Sequence, residues 1–133
     1  MYKRQSHELN DAIRDVSMSR SIMTNSAHGG GDVLIPSTLH RDGFTVTVSS
    51  EGRVPAFPPY VIERIDEFLD PSYDSMLELL VELRKVIRDR IPTQPGRAEF
   101  LAGVLADGDI WTMLRQGDRD GAYAAALERG GLS

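Results

Sequence analysis

The stretch NSAHGGGDVL, residues 25–34, carries the side chains most suggestive of chemistry: a histidine, three consecutive glycines and an acid. The backbone amides of such a run could line an oxyanion hole or cradle a phosphate. His28, Asp32 and the later His40 are also residue types that bind zinc or iron, because two histidines and a carboxylate form a common ligand set.

The sequence around this run argues against each of these sites. His28–Gly31 resembles the HGGG segment of some esterases, whose nucleophilic serine lies downstream in a G-x-S-x-G turn. Here the closest downstream pattern, Gly117–Gly121, has an arginine at its centre. A phosphate loop ends in G-K-[ST], whereas Asp32 follows these glycines and would repel phosphate. The spacing of the two histidines and Asp32 matches no metal motif. We therefore predict an exposed polar loop, with no catalytic residue, metal ion or cofactor.

Length and composition indicate one soluble globular domain. The chain has 133 residues, of which 41% are hydrophobic and 26% are charged. The absence of cysteine excludes disulfides, thiolate zinc sites and cysteine nucleophiles. No apolar run approaches the roughly 20 residues that cross a bilayer, and the N-terminal residues are polar, unlike a signal peptide. These features predict a cytoplasmic protein without membrane contact.

The net charge of −5 makes nucleic acid an unfavourable partner, because phosphate contacts require a basic patch. The one concentrated patch, Arg84, Lys85, Arg88 and Arg90, falls at the end of a predicted helix, where cations complement the helix dipole. An acidic surface favours a protein partner or self-association instead.

The first five residues, MYKRQ, do not fit the composition of the remaining chain. They resemble the translation of a transposon end used in sequencing libraries. We expect residues 1–5 to be a non-native leader and the remainder to be the C-terminal part of a longer metagenomic reading frame.

Hydrophobic periodicity predicts three segments within one domain: an N-terminal helix and glycine-rich loop over residues 6–31, a short β meander over 32–57, and a helical bundle over 58–133. Phe44, Val46 and Val48 alternate with polar residues, which is typical of a half-buried strand. A return strand is predicted over Arg53–Phe57, at a sheet edge because of Pro55.

The helical segment has its strongest pattern over Ser72–Ile91, where apolar residues recur at intervals of three and four. Shorter helices follow, separated by glycines, with Asp109 and Asp118 at predicted N-cap positions. The predicted fold is α+β and mostly α, with a small hairpin or three-stranded meander packed against a bundle of four to five helices.

These features favour a small acidic binding or accessory protein, of inhibitor, immunity or subunit type, over an enzyme. Its predicted contact residues are the strand residues Phe44, Val46 and Val48, together with Trp111 and Tyr123, which could anchor an interface although their helical spacing favours core packing. Two alternatives stay open. The order of one strand and two helices resembles ribbon-helix-helix DNA-binding dimers, and the chain could be a C-terminal fragment or small subunit of a larger enzyme.

Overall fold

The computed structural model describes residues 7–24 and 33–132. The predicted fold class is confirmed: the protein is mostly helical, with a single antiparallel hairpin among the described residues. The elements in chain order are α1 (His7–Ser19), β1 (Ser37–His40), β2 (Thr45–Val48), α2 (Phe57–Phe68), α3 (Ser72–Arg90), α4 (Gln94–Ala106), α5 (Gly108–Arg115) and α6 (Arg119–Arg129).

The chain divides into two compact units. The first, which we call the hairpin unit, contains the described residues of Met1–His40 and Thr45–Ile65. The second, the helical unit, contains the turn Arg41–Phe44 and the described residues of Asp66–Ser133. The helices α3–α6 therefore belong to one unit, while α1, both strands and most of α2 belong to the other.

In the hairpin unit, β1 and β2 pair in a register that places Leu39 opposite Val46 and Ser37 opposite Val48. Val46 and Val48 are half-buried and the threonines between them are exposed, as the alternating pattern predicts. The strand prediction for Arg53–Phe57 is wrong, because this segment forms turns and Phe57 opens α2. Two prolines follow Phe57, and proline suits the first turn of a helix, where the missing N–H has no acceptor to lose.

The helical unit has a continuous apolar core. The predicted helix over Ser72–Ile91 is confirmed as Ser72–Arg90, and the carboxylate of Asp70 accepts the N–H of Ser72 at 2.7 Å. The buried hydrophobic residues, each no more than 5% exposed, are Met76, Leu79, Leu83, Ile87, Val104, Ile110, Leu114, Ala122 and Ala126.

Side-chain caps set the limits of the later helices. Asp118 accepts the N–H of Gly121 at 2.9 Å and caps α6, as predicted. The N-cap prediction for Asp109 is wrong, because Asp107 accepts the N–H groups of Asp109 and Ile110 at 2.9 and 3.2 Å. The helix α5 consequently begins at Gly108, so this glycine starts a helix instead of ending one. Among the described helices, none combines the length and apolar character of a membrane span.

Candidate functional site

The loop that joins β2 to α2 forms a concave surface in the hairpin unit. Ser49, Ser50, Glu51, Arg53, Val54 and Phe57 line a depression of about 440 Å³. Its polar and apolar groups lie side by side, since Arg53 is followed directly by Val54. We call this segment, Ser49–Phe57, the serine loop.

Local hydrogen bonds hold the serine loop in shape. The hydroxyl of Ser50 donates to the carbonyl of Val54 at 3.1 Å and accepts the N–H of Val54 at 3.3 Å. The hydroxyl of Ser49 accepts the N–H of Glu51 at 3.1 Å. Because the Ser50 oxygen is used as both donor and acceptor, its role here is to fix the backbone.

The turn of the serine loop contains two left-handed residues, Glu51 with φ of 55° and Gly52 with φ of 76°. Glycine adopts this conformation without steric cost, whereas a residue with a Cβ is strained there. Strained backbone of this kind is concentrated at binding and catalytic sites. Positive φ at two consecutive residues is also the ordinary geometry of a type I′ turn, so Glu51 and Gly52 set the course of the loop.

The serine loop presents a cation beside exposed apolar groups. Arg53 contacts Glu51 at 3.4 Å, but the two side chains are 80% and 77% exposed, so this surface ion pair leaves the guanidinium accessible. Val54 and Phe57 are 54% and 55% exposed. An arginine next to a phenylalanine and a valine can bind a ligand that joins a flat apolar body to an anionic group.

A second cluster of charges surrounds Arg41 in the helical unit. The guanidinium of Arg41 donates to Asp74 Oδ2 through Nε at 3.2 Å and through Nη2 at 2.5 Å. It also donates to the carbonyl of Leu69 at 3.0 Å, and its Nη1 lies 3.4 Å from Asp66. Hydrogen bonding to Asp74 is the main reason why the pKa of Arg41 is raised. Since Arg41 is surrounded by acceptors from its own chain, its role is structural.

Asp70, which lies between α2 and α3, links the charge cluster around Arg41 to α5. Its carboxylate accepts the N–H and the hydroxyl of Ser72 and lies 3.4 Å from the Nε of Arg115. These hydrogen bonds, those from Ser72 before that from Arg115, lower the pKa of Asp70. The carboxylate is therefore a cap that stays ionised, and it is not suited to donate a proton at neutral pH.

The proposed metal ligands do not meet in the described structure. His28 and Asp32 lie outside the described residues. The Nδ1 of His40 lies 3.3 Å from the hydroxyl of Thr45, on the exposed face of the hairpin. No group of three or more histidine or acidic side chains is placed to hold a metal ion within residues 7–24 and 33–132.

The predicted contact residues occupy two places. Val46 and Val48 are half-buried in the hairpin unit, and Phe44 belongs to the turn of the helical unit. Trp111 and Tyr123 pack against the core of the helical unit, and the indole N–H of Trp111 donates to the carbonyl of Leu105 at 2.8 Å. Their role in binding a partner remains a prediction.

Sequence reasoning missed the serine loop. The apolar residues Val54 and Phe57 suggested a strand, and Ser-Ser-Glu-Gly resembles many turns. The signal that was present is Pro55 two residues after Arg53, since proline removes a hydrogen-bond donor that a paired strand needs.

No known family model matches the chain. The chain is 30% identical over 122 residues to the precorrin-2 dehydrogenase of Methanosarcina barkeri, in an alignment that covers 92% of this chain and 52% of that protein. It is 25% identical over 93 residues to the siroheme synthase of Psychrobacter cryohalolentis, covering 70% of this chain and 18% of that one. This chain thus spans about half the length of the Methanosarcina relative.

Among solved structures, the chain resembles SirC, a precorrin-2 dehydrogenase, with a TM-score of 0.61 and 19% sequence identity. The superposition covers 86% of this chain and 59% of that one. At this identity the likeness shows a shared fold.

These comparisons overturn the predicted function. The prediction of a small acidic binding or accessory protein is wrong, because the similar proteins are named as biosynthetic enzymes. The ribbon-helix-helix alternative is also wrong: the order of strand and helices belongs to the SirC-like fold, and β2 pairs with β1 of its own chain. Net charge misled the prediction, because it describes solubility and partners more than it describes chemistry.

Proposed function

We propose that this chain is a domain of the precorrin-2 dehydrogenase type and contributes to the oxidation of a tetrapyrrole. The observation that carries the proposal is the 30% identity to a precorrin-2 dehydrogenase, which extends over 92% of the chain. The fold shared with SirC supports it.

In this proposal the serine loop contacts the substrate. Precorrin-2 is a tetrapyrrole that carries several carboxylates around a large ring system. Phe57 and Val54 offer apolar contacts to the ring, and Arg53 offers a charged partner to a carboxylate. The left-handed turn at Glu51 and Gly52 holds these side chains in one concave surface.

Dehydrogenation removes two electrons and two protons from the substrate and needs an electron acceptor. A dinucleotide acceptor is usually held by a G-x-G-x-x-G turn between a strand and a helix. The described residues contain no such turn, and we assign no hydride-transfer step to them. The part of this chain is to bind and orient the substrate.

The test is the binding of tetrapyrroles that differ in the number of carboxylates. We expect precorrin-2 and the octacarboxylic analogue uroporphyrin to bind saturably, as measured by fluorescence anisotropy of uroporphyrin and by competition with precorrin-2. Mesoporphyrin, which has two carboxylates, should bind more weakly. No binding of either polycarboxylate would contradict the proposal.

Substitution of Arg53 locates the site. Arg53→Gln should weaken uroporphyrin binding about tenfold, as expected for the loss of one charge-assisted contact of roughly 1.4 kcal/mol. Arg88→Gln is the matched control, because Arg88 is 77% exposed and also lies beside an acid neighbouring it in sequence. Equal loss in both variants would indicate general charge attraction and would remove the serine loop from the proposal.

The cellular location and the self-association of the protein belong to the same proposal. We infer a cytoplasmic location from the names of the relatives, which are enzymes of tetrapyrrole biosynthesis. Self-association through Phe44, Val46, Val48, Trp111 and Tyr123 is retained as a proposal, and sedimentation velocity of the wild-type protein and of Val46→Lys tests it.

A further inference from the structure

We propose that the helical unit holds a second binding site, for a small apolar molecule that carries a protonated amine. The site is a groove of about 400 Å³ between α4 and the α5–α6 pair. This volume lies within the range of roughly 300–1,000 Å³ typical of small-ligand pockets. The proposal is independent of the tetrapyrrole site, because all of its residues belong to the helical unit.

The floor of the groove is made of core side chains. Val104, Ile110 and Ala126 line it and are 5%, 1% and 1% exposed. Phe100 forms a half-buried wall. Because the floor side chains are already buried, the apolar surface that a ligand would remove from water is mainly that of Phe100.

Gly103 keeps the groove open. It lies inside α4, where glycine is less favourable than alanine because of its backbone freedom. A Cβ at this position would meet no atom within 4 Å, so packing does not require a glycine. The other two groove glycines have steric reasons: a Cβ at Gly96 would lie 2.9 Å from the Thr93 hydroxyl, and one at Gly130 would overlap the ring of Phe100. The missing side chain at Gly103 therefore leaves the groove open, although the packing of the fold would tolerate a larger residue at this position.

The charges at the rim select a cation. Arg129 lines the groove but forms ion pairs with two carboxylates, those of Asp107 and Asp109. Glu99 is exposed and makes no hydrogen bond or ion pair with any described residue. The lining thus carries two acids, Glu99 and Asp107, and one arginine that is already paired with Asp107, so the unpaired charge at the rim is that of Glu99, which attracts an ammonium group and repels a carboxylate. The nearby Arg97 donates to the carbonyls of Ile91 and Pro92 and is not among the lining residues.

The test compares two probes that share a phenylethyl body and carry opposite charges, 2-phenylethylamine and 3-phenylpropanoate, by ¹⁵N–¹H NMR of the full chain. We expect the amine to shift the amide signals of Gly96, Gly103 and Gly130 saturably, with a Kd of about 1 mM or lower, which is usual for so small a ligand. Gly52 and Gly43, outside the groove, should not shift. Equal shifts with the carboxylate, or no saturable shift with the amine, would overturn the proposal.

Two substitutions assign the contacts. Gly103→Leu should abolish binding by filling the groove, and it should leave the fold intact because the added side chain enters empty space. Glu99→Gln should weaken the amine at least fivefold, whereas Glu128→Gln, on an exposed position of α6, should change nothing. Amine binding to the Gly103→Leu variant with unchanged affinity would refute the site, provided that circular dichroism shows an unchanged helix content.

Discussion

The hairpin unit and the helical unit differ in how many of their apolar side chains are buried. All nine buried hydrophobic residues found among the described residues lie in the helical unit, whereas Pro58 is the one described residue of the hairpin unit that is buried. The hairpin unit instead exposes large apolar side chains by more than half: Leu9, Ile13, Val16, Met18, Ile22, Met23, Leu34, Ile35, Val54, Phe57 and Tyr60.

The two units also differ in net charge. Among the described residues, the hairpin unit has four basic and five acidic residues, whereas the helical unit has nine basic and fourteen acidic ones, so most of the negative charge lies in the helical unit. A value averaged over the chain therefore described neither part. The helical unit is an acidic unit with a buried core, and the hairpin unit has the nearly neutral, apolar surface that binding sites and interfaces share.

Removing core volume should show the largest difference between the units. Leu83→Ala creates a cavity at a fully buried position and should lower the free energy of unfolding by about 3 kcal/mol. Ile13→Ala, at a position 54% exposed in α1, should lower it by less than about 1 kcal/mol. Urea denaturation followed by circular dichroism measures both. Similar losses would mean that the hairpin unit also has a core.

Arg41 in the helical unit and Arg53 in the hairpin unit provide the next comparison. Arg41→Met should lower the free energy of unfolding more than Arg53→Met does, because it leaves the partly buried Asp74 without its partner. The Oδ1 atom of Asp74 is already buried without a hydrogen bond. Arg53→Met, which breaks an exposed ion pair, should cost no more than about 0.5 kcal/mol. If Asp74→Asn added to Arg41→Met restores stability, the unpaired charge is the cause.

The cap at Asp70 should give a smaller, pH-dependent effect. Its pKa is lowered in the folded protein, so its stabilisation is present above the ordinary value of 3.8 and is lost as the pH falls through the folded pKa. Asp70→Asn keeps a capping side chain but loses the charge, and should cost about 1 kcal/mol at neutral pH. Denaturation curves of the variant and the wild type should converge in acid. A constant difference at all pH values would contradict this account.

Replacing two glycines by alanine should change the free energy of unfolding in opposite directions, and by the smallest amounts among these predictions. Gly103→Ala should stabilise the protein by about 0.5–1 kcal/mol, because it improves helix propensity in open space. Gly52→Ala should destabilise it by about 1 kcal/mol, because alanine is strained at a φ of 76°. Thermal unfolding of both variants gives the comparison. Stabilisation by both would mean that the serine loop relaxes its turn.

Much of the helical unit could be predicted from local sequence. The helix α3 was located within one residue because its apolar repeat is long and its start and end are marked by Asp70-Pro71 and Pro92. The strand β2 followed from the alternation at Val46 and Val48, but its partner β1 was not predicted, and the predicted partner Arg53–Phe57 is not a strand. Such signals are local, and each depends on a few neighbouring residues.

Two of the missed features depend on residues that are distant in sequence. Arg41 meets Asp66 and Asp74, which are 25 and 33 positions away, and no periodicity indicates these pairs. The groove at Gly103 depends on the contact between Phe100 and Gly130 across two helices. Part of the serine loop, Arg53–Phe57, was predicted as a strand because it is largely apolar, and five residues are too few to distinguish a strand from a turn.

The position of Arg41 also bears on how the molecule folds and unfolds. The helices α5 and α6 are neighbours in sequence, whereas Arg41 contacts Asp74 across 33 positions, and we expect this long-range contact to form later in folding. Interactions that form after the folding barrier slow escape from the native state and leave the speed of folding unchanged. We therefore expect Arg41→Met to speed unfolding more than it slows folding.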